Sequence, residues 1–310
     1  MLSGNNFSIW MMLLKFLRKQ KFMSLVIIGL AYWGYSRYSS GESVFPSFDG
    51  AFSEVRSFFS DGQSSQHSDY NVEDPENFLL QGTRQGVSEQ FLYRKAYVVS
   101  YNKDTRQPNW VAWCLTRDHA DGDIPRQQQF IEDTDVPYPR PTLEDYRRSG
   151  YDRGHMCPAG DNKWDKQAMY ESFYLTNMCP QNPSLNSGLW NRFEQDCRSW
   201  AKKYGEIYIV CGPIFLGQTH KTIGYNHIVV PEAFFKVVLC MKGEPQGVGI
   251  ILRNIPGQTN ADICLYSIDE IEKITNIDFF PNLSDDIEQS VESEIDYNFW
   301  SINEKIFNKL

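Results

Sequence analysis

Runs of apolar residues dominate the middle of the chain. Ala96-Tyr-Val-Val-Ser-Tyr101 and Trp110-Val-Ala-Trp-Cys-Leu115 flank a polar stretch, Asn102 to Asn109, and predict a hairpin. Three further runs, Glu206 to Cys211, Ala233 to Met241 and Gly247 to Leu252, predict strands. Between them the period changes. From Gly188 to Tyr204, Leu189, Trp190, Phe193, Cys197, Trp200 and Ala201 recur at helical spacing. A shorter helix is predicted from Asp165 to Phe173. Another is predicted from Ser267 to Thr275, where Ser267 and Glu270 have the spacing of a capping box. Residues 118–150 contain Pro125, Pro137, Pro139 and Pro141 and predict a long irregular loop. Hairpin, loop, helix and then more strands predict an α+β fold around one core, with a central sheet and flanking helices.

The ends read differently. Residues 37–82 are rich in Ser, Asp and Gly and predict a flexible linker. Residues 283–310 predict an acidic, peripheral extension, which leaves 83–282 as the folded domain. Near the N-terminus, Lys15, Arg18, Lys19 and Lys21 precede an uncharged apolar run, Phe22 to Tyr35. That run is shorter than the roughly 17–25 residues of a full span. Tyr32, Trp33 and Tyr35 stand where a cleavage site is expected and suggest an interfacial belt. Residues 1–36 therefore predict a signal-anchor or a signal peptide, with the remainder outside the cytoplasm. A mitochondrial presequence is the less favoured alternative, since residues 1–41 hold no acid.

Charge at first argues against a polyanionic partner, for the chain carries −9. The acids are concentrated in the flanks. Residues 37–82 hold eight acidic and two basic side chains, and residues 283–310 hold seven and two. The central part is close to neutral, so a local basic cleft is allowed. The seven cysteines all lie in this central part, and an odd number leaves at least one unpaired. No Cys-x-x-Cys spacing suggests zinc.

The densest concentration of reactive side chains is Tyr151-Asp-Arg-Gly-His-Met156. It is followed by Leu175-Thr-Asn-Met-Cys-Pro-Gln181, then Leu185-Asn186 and Phe193-Glu194. Together these offer a proton acceptor, a phosphate-binding cation, amide oxygens and a carboxylate, a set suited to magnesium-assisted phosphodiester cleavage. His67, His119, His220 and His227 lack such neighbours and read as ordinary surface or core residues.

These motifs, in this order and spacing, resemble the DNA/RNA non-specific endonuclease family. The hallmark there is Asp-Arg-Gly-His, then Ser/Thr-Asn, Leu-Asn and a Glu eight residues on. Trp110 to Trp113, Cys211 to Phe215 and Val230 to Lys236 are also similar. The resemblance implies a ββα-metal site cleaving DNA and RNA with Mg2+ (Mn2+ possible), through phosphate contacts, sometimes as a homodimer. His155 would be the general base, Asn186 the direct metal ligand and Glu194 a metal contact through water. Asn177 would orient the site, and Arg153 would contact the scissile phosphate. Arg126 is the candidate second cation, with Arg140, Arg147 and Arg148 as rivals. Asn186 could also cap the helix that follows, and Glu194 could be a plain exposed helix residue. Asp152 would hold the loop or pair with an arginine. Cys157 and Cys179 stand where the family has small residues, and either pair as a disulfide or fill core space. The alternatives are a phosphodiesterase or phosphatase acting on small phosphates, and a nucleic-acid-binding module without catalysis.

Overall fold

A computed structural model describes residues 79–82, 86–259 and 264–300. The expected anchor and almost all of the expected linker lie outside the described residues. Seven strands form one antiparallel sheet in the order β1-β2-β3-β6-β9-β10-β11. They are β1 (Gln90–Tyr93), β2 (Val98–Asn102), β3 (Gln107–Thr116), β6 (Glu206–Ile214), β9 (Ala233–Cys240), β10 (Gln246–Arg253) and β11 (Cys264–Tyr266). The predicted hairpin is β2–β3, with a register shift at Ser100/Tyr101. Two small hairpins stand apart from it: β4 (Asp152–His155) with β5 (Met178–Gln181), and β7 (Thr222–Ile223) with β8 (Ile228–Val229).

The central strands are apolar throughout because both faces of the sheet are covered. One covering layer holds the β4–β5 hairpin, the short helix α1 (Lys166–Glu171) and the long helix α2 (Asn191–Tyr204). Here Phe193, Cys197, Trp200 and Ala201 of α2 join Trp113, Ile209, Cys211, Phe234 and Val238 of the sheet. The other layer is α3 (Ile268–Thr275) and α4 (Asp285–Ser293). Ile268, Ile271 and Val291 pack there on Ala112, Val210, Phe235, Val237 and Leu239. Each of the Val, Leu, Ile and Phe side chains among these contributes about 1.5–3 kcal/mol by leaving water. Asp165 caps α1 through its side chain, and the Ser267/Glu270 capping box of α3 is present as predicted.

Both outer boundaries differ from expectation. Gln81, from the end of the expected linker, is buried and accepts the Phe280 N–H at 2.9 Å, while the Gly82 N–H donates to the Asp278 carbonyl at 2.7 Å. The described part of the acidic stretch after Leu283, up to Trp300, packs into the core. Val291 and Trp300, the latter at the end of α5 (Tyr297–Trp300), are fully buried. Trp300 accepts from Trp200 Nε1 at 2.6 Å and donates its own Nε1–H to the Gly247 carbonyl at 3.3 Å. The acids of α4 mask an amphipathic helix whose apolar side faces the sheet.

Candidate active site

The Asp152–His155 run forms strand β4, with Asp152 opposite Gln181 and His155 opposite Met178. Gly154 is required by this pairing, since a Cβ there would lie 2.6 Å from that of Gln181. Three contacts fix the end of the strand. Trp190 Nε1 donates to the His155 carbonyl at 3.1 Å, the Met156 N–H donates to the Asn177 carbonyl at 3.0 Å, and the Asn177 side chain bridges the neighbouring loops. That side chain accepts the Cys157 N–H at 2.9 Å and donates to the carbonyls of Cys157 and Ser172, each at 2.8 Å. Asn177 is fully buried. Its geometry is that of a brace between the neighbouring loops.

The His155 ring is 8% exposed and lies between two phenylalanines. Phe173 meets it edge-on at 4.9 Å between centroids, and Phe130 is tilted at 5.5 Å. A cation sits on each of these rings. The Arg126 guanidinium lies 5.1 Å from the Phe173 centroid, and that of Arg153 lies 4.5 Å from the Phe130 centroid. His155 Nε2 and Arg153 Nε are buried with no hydrogen-bond partner among the described residues. Burial first, then the charges of Arg126 and Arg153, push the imidazole pKa down to about 3. The ring is therefore neutral at neutral pH, with a nitrogen free to take a proton. Two of the three rival arginines are engaged elsewhere. Arg140 is held by the Val136 carbonyl, Tyr138 and Glu132, and Arg147 pairs with Glu144.

Asn186 follows a short turn, Pro183–Leu185. Its own N–H bonds the Asn182 carbonyl at 2.9 Å, so it lies within the helical path, and Asn182 caps the turn by accepting from the Ser184 N–H. The Asn186 Nδ2–H donates to Asp152 Oδ2 at 2.9 Å. Asp152 thus orients an amide rather than pairing with an arginine, and Asn186 Oδ1 remains available. The path on to Glu194 is not one straight helix. A π-turn, Asn186–Trp190, intervenes, with non-helical backbone at Gly188. Glu194 lies in the first turn of α2, half-buried. Burial pushes its carboxyl up to about 7 against the opposing pull of Lys236, Arg198 and Arg126.

The sequence profile of the DNA/RNA non-specific endonuclease family matches residues 74–286. The chain belongs to that family. It is 36% identical over 205 residues to mitochondrial endonuclease G of Homo sapiens, covering 61% of this chain and 69% of that protein. It is 37% identical over 222 residues to nuclease C1 of Cunninghamella echinulata, covering 66% and 88%. The match to mitochondrial nuclease EXOG of Mus musculus, at 36% identity, covers 60% of this chain but only 56% of the longer mouse protein. Among solved structures, EndoG in its complex with the inhibitor EndoGI superposes with a TM-score of 0.59 at 28% identity, covering 63% of this chain and 87% of that one. The α+β fold with its antiparallel sheet, and the ββα unit of β4, β5 and the helix beyond Asn186, agree with this membership.

Several members of the site were not singled out from sequence. Lys236 on β9 is fully buried, with Nζ 4.4 Å from the Trp190 centroid and 5.1 Å from that of Trp113. Asp161, also buried, accepts from Arg198 at 2.8 Å and from Trp113 Nε1 at 3.1 Å. A lysine inside the apolar run Ala233 to Met241 was the available signal. For Phe130, Phe173 and Asp161 no local pattern existed. Cys157 and Cys179 are both fully buried free thiols, which excludes the disulfide reading in favour of core filling.

Proposed function

We propose that this protein is a divalent-metal-dependent, sugar-non-specific endonuclease that hydrolyses phosphodiester bonds in DNA and RNA. The observation that carries this reading is a buried imidazole with an unengaged Nε2, packed against two phenylalanines that each carry a guanidinium. A polyanionic backbone is the substrate that such an arrangement accepts without base readout. Arg153 and Arg126 bind phosphate oxygens, and Arg153 offers its unpartnered Nε–H. His155 Nε2 accepts the proton of the attacking water. A bound phosphate opposes the two arginines electrostatically and so raises the basicity of His155 at the moment it is needed.

The donor set fits a hard cation. Asn186 Oδ1 is left free by the bond to Asp152, and the Glu194 carboxylate is oriented by no hydrogen bond among the described residues. Both offer oxygen, which suits Mg2+ or Mn2+ retaining most of its waters. Asn186 would hold the ion directly and Glu194 through its hydration shell. Bound there, the ion would supply charge neutralisation at the phosphate and leaving oxygen. Asp152 keeps the Asn186 amide turned, and Asn177 keeps the β4–β5 junction closed.

The test is plasmid nicking by the full chain with Mg2+, with and without chelator, alongside His155→Ala. Loss of nicking in both cases is expected, and nicking untouched by either sinks the proposal. Comparison of plasmid, structured RNA and a chromogenic diester separates polymer cleavage from action on small phosphates. For the N-terminal segment, the basic cluster before Phe22 to Tyr35 supports export or membrane anchoring of the catalytic part. Fractionation of cells expressing the full chain and a chain lacking residues 1–36 tests this.

A further inference from the structure

Among the described residues, one trio of acids converges outside the candidate active site. Asp269 and Glu272 are three apart on α3 and so share a face of that helix. Glu292 reaches them from α4. One carboxylate oxygen from each lies within 4.8 Å of the others. Oxygens bound to a calcium ion at about 2.3–2.6 Å can be no further apart than about 5.2 Å, so the trio already has the dimensions of a ligand set.

A second observation points to an occupant. Glu292 is only 5% exposed, and its Oε1 is buried without a hydrogen-bond partner among the described residues. A buried carboxylate oxygen is ordinarily satisfied, and leaving it bare is costly. The neighbouring cations do not meet the need. Lys273 is exposed and reaches only Asp269, at 3.4 Å. The Phe279 N–H donates to Glu272 Oε1 at 2.7 Å, which leaves that carboxylate's second oxygen. Asp278 and Glu288 face the trio as further acids. An open depression lined by Ser267, Asp269, Glu270, Lys273 and Glu294 gives solvent a route to Asp269.

We propose that Asp269, Glu272 and Glu292 form a second, non-catalytic site for a hard divalent cation of the calcium class, which clamps α3 to α4. Three carboxylates on two helices, without a rigid octahedral frame, suit the larger ion better than Mg2+. The charge environment agrees. Burial, then Glu272, Glu288, Asp269 and Asp278, push the Glu292 carboxyl up to about 9, as expected of a group lacking a counter-ion.

The test is calcium titration of the full chain by equilibrium dialysis and thermal melting. Wild type, Glu292→Gln and Asp269→Asn are compared, each also with Asn186→Ala to remove the ion proposed for the active site. In the Asn186→Ala protein, one calcium equivalent should bind and Tm should rise by about 3–6 °C at ten times Kd. Glu292→Gln or Asp269→Asn added to it should abolish both effects. Because Asp269 is a half-buried helix-surface residue, its variant tests the site even if Glu292→Gln folds poorly. Plasmid nicking with Mg2+ should be unchanged in Glu292→Gln, which separates this proposal from the catalytic one. Absence of calcium binding at millimolar concentration, or binding indifferent to both variants, overturns it. So does stabilisation produced only by lowering the pH.

Discussion

The two layers that cover the sheet bury charge in opposite ways. Beneath α2 the signs are mixed: Asp161 is bonded by Arg198 and Trp113, and Lys236 lies against two tryptophan faces. Between α3 and α4 the charges are nearly all acidic, and Glu292 has an orphaned oxygen. A layer whose charges compensate one another can hold a neutral histidine and a half-buried glutamate in place ready for substrate. A layer of one sign is completed only by protons or a cation from outside. The same sheet thus supports a preorganised site on one face and, on the other, helices whose docking depends on the solution.

The contrast breaks most visibly in activity. His155→Ala should lower the rate of plasmid nicking by about 10²–10⁴-fold, whereas Glu292→Gln should leave it unchanged. Next in size is stability. Asp161→Ala removes the anionic partner of Arg198 and the acceptor of the Trp113 N–H, and should cost about 3–5 kcal/mol in denaturant unfolding. The corresponding loss on the other face has the opposite sign. Without calcium, Glu292→Gln should stabilise at neutral pH by about 1 kcal/mol or more, because the buried Glu292 carboxyl must take up a proton to enter the fold and a glutamine need not. Equal destabilisation by both variants would show that the two layers do not differ in this way.

Much of this architecture was legible beforehand. The apolar runs marked β2, β3, β6, β9 and β10, because strands covered on both faces need apolar residues at nearly every position. Ser267 and Glu270 marked the start of α3, because a cap is a local device. The motif residues His155, Arg153, Asn186 and Glu194 were visible as chemistry. What escaped were non-local choices. β4 is four residues long and polar, and becomes a strand only through β5. The π-turn at Gly188 leaves no apolar signature. Trp300 lies in a stretch whose acids suggested solvent, yet it fills a gap beside Trp200. Arg126 was separable from its rivals only once Phe173 brought it beside His155.

Acid and base should act on different faces. The His155 pKa is lowered in the fold, to about 3 from an ordinary 6.5, so the unfolded chain binds its proton first. Its contribution is present above about pH 6.5 and is lost as pH falls towards 3. Glu292 and Glu272 are raised, to about 9 and about 7. Their contributions are complete below about pH 4.5 and are lost as pH rises through those values. Urea unfolding across pH 4–9 should show the alkaline loss diminished in Glu292→Gln, with the acid loss unaltered.

The smallest effect is the most specific. In Arg126→Ala the His155 pKa should move upward, because one of the two cations that depress it is gone. Burial, the larger cause, remains, so the shift should stay well short of the ordinary histidine value. Imidazole proton or carbon shifts followed by NMR titration read this directly in the free protein. Arg153→Ala should act in the same direction, and Arg140→Ala should not act at all, since Arg140 is held by Val136, Tyr138 and Glu132. An unmoved His155 titration in Arg126→Ala would remove Arg126 from the site. Arg153 would then be left, among the described residues, as the one cation that depresses the imidazole.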